Sequence, residues 1–368
     1  MSATRRLGRT TAVLGLLAMI GGLVPGASLA SATLPGRDGR IAFTDFFTGQ
    51  IFTINPDGTG LTQLTHTDAN HAATFAEWTP DGRITFSLVR IDRPDDHARI
   101  WIMNADGSDQ RKVTGDAPGF RNYDANVTPD GSHIVFARCK PNNGVCAIWI
   151  MRSDGTDKRP LTPFRDPPNE AIDFFPAVSP DGIHVAFARF SWNGVAAQVY
   201  EMSIDPYGSG SGARAVTRRR LEATSPDYSP DGALLTVSSQ AVRPGSHIFS
   251  LQTDGARVTK LTETAYPRND FGSVFSPQGN RIAFTSDRRY DDFCCVDLFV
   301  MRADGTLEHR IPTAGNRGVV QVAWGSAPPA TGVQTAPPVP VRPAKPRGTP
   351  AIEAWCGFHP GLMRAGVC

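Results

Sequence analysis

The sequence predicts an all-β fold, a six-bladed β-propeller of four-stranded antiparallel blades. Three observations predict it. A Ser/Thr-Pro-Asp-Gly phrase recurs along the chain, and aligned on its glycines the intervals are 43, 49, 51, 50 and 47 residues. Each copy leads into short apolar strands, and five of the six continue to a second Asp-Gly turn. The 36 glycines and 30 prolines in 368 residues leave little room for long helices, because each breaks or frays a helix interior.

The phrase reads Thr79-Pro80-Asp81-Gly82, Thr128-Pro129-Asp130-Gly131, Ser179-Pro180-Asp181-Gly182, Ser229-Pro230-Asp231-Gly232 and Ser276-Pro277-Gln278-Gly279, with a degenerate first copy at Gly36-Arg37-Asp38-Gly39. Proline presets φ and glycine accepts positive φ, as tight hairpins require. An Ile-x-Phe type strand follows each phrase, as in Ile41-Ala42-Phe43 and Ile134-Val135-Phe136. A second strand such as Ile100-Trp101-Ile102-Met103 runs into the second turn, at Asp57-Gly58, Asp106-Gly107, Asp154-Gly155, Asp254-Gly255 and Asp304-Gly305. A third strand ends in Leu-Thr or Val-Thr, and a fourth, such as Phe75-Ala76-Glu77-Trp78, precedes the next phrase. Four-stranded units at this period are the pattern of propeller blades.

The first unit lacks its fourth-type strand, and the spare copy, Val319 to Trp324, lies at the other end. Trp324 takes the slot of Trp78. Both ends of the propeller region are therefore expected to build one blade and close the ring, which removes exposed sheet edges.

Residues 1–32 read as a secretory signal peptide: Arg5, Arg6 and Arg9, an apolar run from Ala12 to Val24, then small residues with cleavage expected near 30–32. The run is about 13 residues, short of the roughly 20 that span a bilayer, so no membrane span is expected. Without the leader, 34 Lys and Arg face 35 Asp and Glu. That balance speaks against a basic nucleic-acid-binding surface. Residues 33–326 form the propeller, 327–350 a linker with eight prolines, and 351–368 a short tail bracketed by cysteines.

Six cysteines suit an oxidising compartment. Cys139 and Cys146 flank a turn-rich stretch and are placed to bridge a hairpin, while Cys356 and Cys368 are placed to close the tail. Cys294 and Cys295 are adjacent, leaving either a vicinal bond or one bond elsewhere with a free thiol. No C-x-x-C spacing points to zinc or redox chemistry.

Taken together, Ser/Thr-Pro-Asp-Gly-x-x-Ile-x-Phe, Ile-Trp-x-Met-x-x-Asp-Gly-Ser/Thr and Leu-Thr resemble the WD-like repeat of TolB-type six-bladed propellers, over nearly the whole region between leader and tail. The repeats start directly after the leader, without the α/β domain that precedes the TolB propeller. The resemblance implies a propeller whose relatives include periplasmic protein-binding scaffolds, peptidase gating domains and some polysaccharide lyases.

Strand alternation puts both families of Asp-Gly turns on one face and the longer, dissimilar connections on the other, where binding normally evolves. The binding-face candidates are Asp92, Asp95, Asp96, His97, Asp166, Glu170, Arg218, Arg219, Arg288 and Arg289. His66, His71 and His97, with carboxylates such as Asp68 nearby in sequence, offer a divalent-metal site. The plainer account is that they are solvated loop residues. His133 and His184 alternate with core positions and read as structural. The segments around Asp106 and Asp154 faintly match calcium loops but lack the required glutamate. Gly208-Ser209-Gly210-Ser211-Gly212 has glycine where a nucleophile elbow needs serine. No catalytic residue is therefore assigned and no cofactor is required. The expected function is a secreted, non-catalytic scaffold for a protein or cell-envelope polymer. The alternative is a metal-assisted, polysaccharide lyase-like enzyme built on the three histidines.

Overall fold

A computed structural model describes residues 33–91, 98–115, 119–140, 145–165, 171–191, 197–205, 207–240, 245–265, 268–290, 295–316 and 318–328. They form six four-stranded antiparallel sheets. Numbered around the ring, the innermost strands are Val319–Ser326 (blade 1), His71–Trp78 (blade 2), Arg121–Val127 (blade 3), Ala171–Val178 (blade 4), Ala223–Tyr228 (blade 5) and Asp270–Phe275 (blade 6). Blade 1 joins the two ends of the propeller region: Val319–Ser326 pairs with Asp38–Asp45, Ile41 opposite Trp324 and Ala42 opposite Ala323. The same pairing sets Trp78 opposite Ile84 in blade 2, so Trp324 does fill the slot of Trp78.

Each repeated residue type has a local cause. The Leu-Thr threonine extends the pairing past the end of the outermost strand, which has only two or three residues in five of the six blades and six in blade 4. Its hydroxyl accepts the N–H of a third-strand residue beyond the end of the ladder: Ile51 to Thr65, Ile100 to Thr114 and Ile148 to Thr162 at 2.9 Å, with Val199 to Thr217 and Ile248 to Thr262 alike. These groups are buried, where an unmade hydrogen bond costs about 1–3 kcal/mol. The Ile-x-Phe aromatic sits opposite an aromatic of the third strand and the rings pack, Phe43 on Phe52 and Phe284 on Phe299 at 5.6 Å, Phe187 on Tyr200 at 5.9 Å. The second-turn glycine seats one blade on the next: at Gly155, φ is 85°, and a Cβ there would lie 2.2 Å from the Val113 carbonyl oxygen of blade 2.

All six innermost strands carry a bulge whose central residue has left-handed φ: Phe75, Asp124, Phe175, Ser225, Gly272 and Gln321, between 49° and 60°. The ladder register shifts at each. Only Gly272 adopts this conformation without steric cost, which for other residues is about 1–2 kcal/mol. Side chains help hold the bulges. The N–H of Phe75 donates to Gln321 Oε1, that of Asp124 to Ser87 Oγ and that of Gly272 to Ser238 Oγ, each from the neighbouring blade. A bulge bends and twists a strand, and six in register line the central channel.

Cys139 and Cys146 are directly opposed in the hairpin of blade 3 and form the expected disulfide. Cys295 is also disulfide-bonded. Cys294, Cys356 and Cys368 lie outside the described residues, as do the leader, all but the first two residues of the linker, and the tail.

Candidate functional site

The two faces differ in how far their polar groups are already committed. On the short-turn face, carboxylates bond within their own turns. Asp57, Asp106, Asp154 and Asp304 each accept a hydroxyl hydrogen bond at 2.6 Å and a backbone N–H from the Thr or Ser two residues on. These bonds hold all four below the usual carboxylate range. Asp81, Asp130, Asp181 and Asp231 accept likewise from Thr79, Thr128, Ser179 and Ser229. The segments that faintly match calcium loops are thus self-satisfied hairpin turns.

The long-loop face holds the predicted binding residues, in two states. Arg218, Arg219 and Arg220 are exposed around a single 3-10 turn, Arg219–Leu221, and no ion pair engages them among the described residues. Arg288 is internal instead. Its guanidinium stacks over Phe299 at 4.8 Å, pairs with Asp270 at 2.7 Å and also with Glu308. Arg289, half exposed, shares the buried Asp297 with Arg310. His66 is exposed beside Gln63, and His71 bonds Asp68 at 2.8 Å. His97, Asp92, Asp95, Asp96, Asp166 and Glu170 lie outside the described residues. Among the described residues no group of three His, Cys, Asp or Glu is arranged to hold a metal ion.

The central channel carries a constellation that the sequence reading missed. Phe75 of blade 2 packs on Phe174 and Phe175 of blade 4 at 5.7 and 6.4 Å, and Tyr123 of blade 3 completes the cluster. Blades 2 and 4 are not neighbours, so Phe75 and Phe175 meet at the middle of the ring.

The channel also gathers three carboxyl groups: Glu77 of blade 2, Asp124 of blade 3 and Asp227 of blade 5. Burial pushes Asp124 up to about 8. Burial pushes Asp227 up to about 7, although the N–H of Phe275 donates to it at 2.7 Å and Thr33 donates as well. Glu77 is held well above the usual range by burial first, then by repulsion from Asp124 and Asp227. Blades 2 and 5 are opposite in the ring, so carboxyls that repel one another across it meet in the channel. No cation pairs with any of the three among the described residues. The available signal was a carboxylate inside an otherwise apolar strand, as in Phe75-Ala76-Glu77-Trp78.

No protein-family profile matches the sequence. Among solved structures, TolB from Acinetobacter baumannii aligns with a TM-score of 0.61 at 18% identity, over 81% of this chain and 69% of that one. A putative TolB from Agrobacterium tumefaciens aligns at 0.54 and 20% identity, over 79% and 99%. A chain of a nidogen/laminin complex aligns at 0.54 and 12% identity, over 78% and 98%. At such identities the likeness speaks for the fold alone. The chain folds as a TolB-type six-bladed β-propeller.

Proposed function

We propose that this protein is a secreted, non-catalytic scaffold that binds a protein or cell-envelope polymer on its long-loop face. The observation that carries the reading is the asymmetry between the faces. Carboxylates of the short turns are tied into their own hairpins, whereas the opposite face presents the uncommitted Arg218, Arg219 and Arg220. A closed ring is rigid enough to present dissimilar loops with little ordering cost on binding. Two observations support an extracytoplasmic location: the Cys139–Cys146 disulfide and the bonded state of Cys295.

The test is a cross-linking capture with the full chain as bait, against envelope and culture fluid of the producing organism. One control replaces Arg218, Arg219 and Arg220 with alanine; the other replaces the short-turn residues Asp57, Asp106 and Asp304. A stoichiometric partner lost in the first control and kept in the second supports the reading. Capture unaffected by the first and lost in the second places binding on the other face and overturns it.

A further inference from the structure

Among the described residues no cation pairs with the channel carboxyls, and Thr33 stands against one of them, Asp227. Thr33 is 4% exposed, and its hydroxyl donates to the Phe275 carbonyl at 2.7 Å and to Asp227 Oδ2 at 3.4 Å. The next residues are fixed on the same side of the ring. Leu34 is buried and its carbonyl accepts from Ser326 Oγ at 2.8 Å; the Gly36 N–H donates to the Pro277 carbonyl at 3.1 Å. The short-turn mouth of the channel is thus occupied by the residues that immediately follow the predicted leader.

Cleavage after Ala32, which the Ala30-Ser31-Ala32 sequence permits, would make Thr33 the first residue. Peptide-bond hydrolysis there adds water across the Ala32–Thr33 bond. It gives a carboxylate on the departing leader and an amine on Thr33 that takes up a proton. A threonine nitrogen is three bonds from its own hydroxyl oxygen, so the new ammonium falls within about 7 Å of Asp227 Oδ2. Opposite charges at such separations in a poorly hydrated site attract strongly.

We propose that Asp227, in the short-turn mouth of the channel, is the receptor for the protein's own processed N-terminus, holding the α-ammonium of Thr33. The ligand class is a primary ammonium at a chain end, and its source is this chain. Maturation then sets a cation against a buried carboxyl, so the exported protein differs in stability from its precursor. The inference rests on the leader reading but is independent of which partner the long-loop face binds.

The test begins with intact mass measurement of the exported full-length product. The expected start is Thr33. A start at Ser31 overturns the proposal and leaves the leader reading standing; an uncleaved chain overturns both. The mature protein is then treated at pH 7 with an amine-acetylating ester. An exposed α-amine, with an ordinary pKa near 7.7–8.0, reacts readily. The Thr33 amine is expected to react at least tenfold more slowly while folded and at the ordinary rate in denaturant. A chain retaining Ala32 as an extra first residue is expected to melt about 2–4 °C or more below the Thr33-first chain. That difference should shrink in an Asp227→Asn background, and persist in an Asp124→Asn background. Ordinary reactivity in the folded state, or equal melting of the two chains, overturns the proposal while secretion stands.

Discussion

The indole N–H of Trp324 donates to the carbonyl of Gly39 at 3.2 Å, across 285 residues of chain. The bond sits in the one blade built from both ends of the propeller region, and Arg281 of blade 6 stacks over the same indole at 5.8 Å. Ring closure thus depends on a buried aromatic, 2% exposed. Trp324→Ala is expected to cost about 3–5 kcal/mol, as for other buried large-to-small changes. Urea unfolding checks it; a cost under 1 kcal/mol would show that closure does not depend on this side chain.

The Cys139–Cys146 bond closes a loop with a sequence separation of only 7. Chain-entropy reasoning gives such a short loop about 2–3 kcal/mol. The double Cys139→Ser, Cys146→Ser variant should lose that amount and keep a propeller circular-dichroism spectrum, because the opposed strands remain paired along Ala147 to Arg152. Loss of the fold would mean that the bond organises blade 3 rather than only tightening it.

The raised channel carboxyls make stability depend on pH. In the unfolded chain they release protons near the ordinary value of about 4. Folded, Asp227 holds its proton to about 7 and Asp124 to about 8. In the unprocessed chain, where no Thr33 ammonium stands against Asp227, the native state therefore binds more protons between about pH 4 and pH 8, and stability falls as pH rises. Asp124→Asn removes one titration and tolerates the left-handed φ of 54° at that position. Urea midpoints at pH 5 and pH 8 should lie closer together in this variant. Identical slopes in variant and parent would show that Asp124 titrates normally.

Arginines on the long-loop face should separate into two classes. Arg288→Ala strands the fully buried Asp270 and should cost about 3–5 kcal/mol. Joint alanine replacement of Arg218, Arg219 and Arg220 should change stability by less than about 0.5 kcal/mol each. Thermal melting of both variants checks this, and a stable Arg288→Ala protein would return that residue to the pool of free surface charges.

The architecture was legible in the sequence because it is encoded locally and repeated. Pro-Asp-Gly fixes a hairpin from its own dihedral preferences, Ile-x-Phe marks the strand after it, and Trp324 matching Trp78 marks the closing strand. The Cys139–Cys146 pair was legible for the same reason, since a short hairpin puts its flanks opposite each other. Sequence spacing alone could not tell that Arg288 is spent on Asp270 and Glu308, because Asp270 begins the innermost strand of the blade and Glu308 immediately precedes the outermost. Nor could it bring Glu77, Asp124 and Asp227 together, since they lie on three blades and meet only when the ring closes. Local dihedral preferences and strand alternation determined the blades. Only the tertiary structure decided which charges are solvated, paired or left facing one another in the channel, because that depends on distances between residues far apart in the chain.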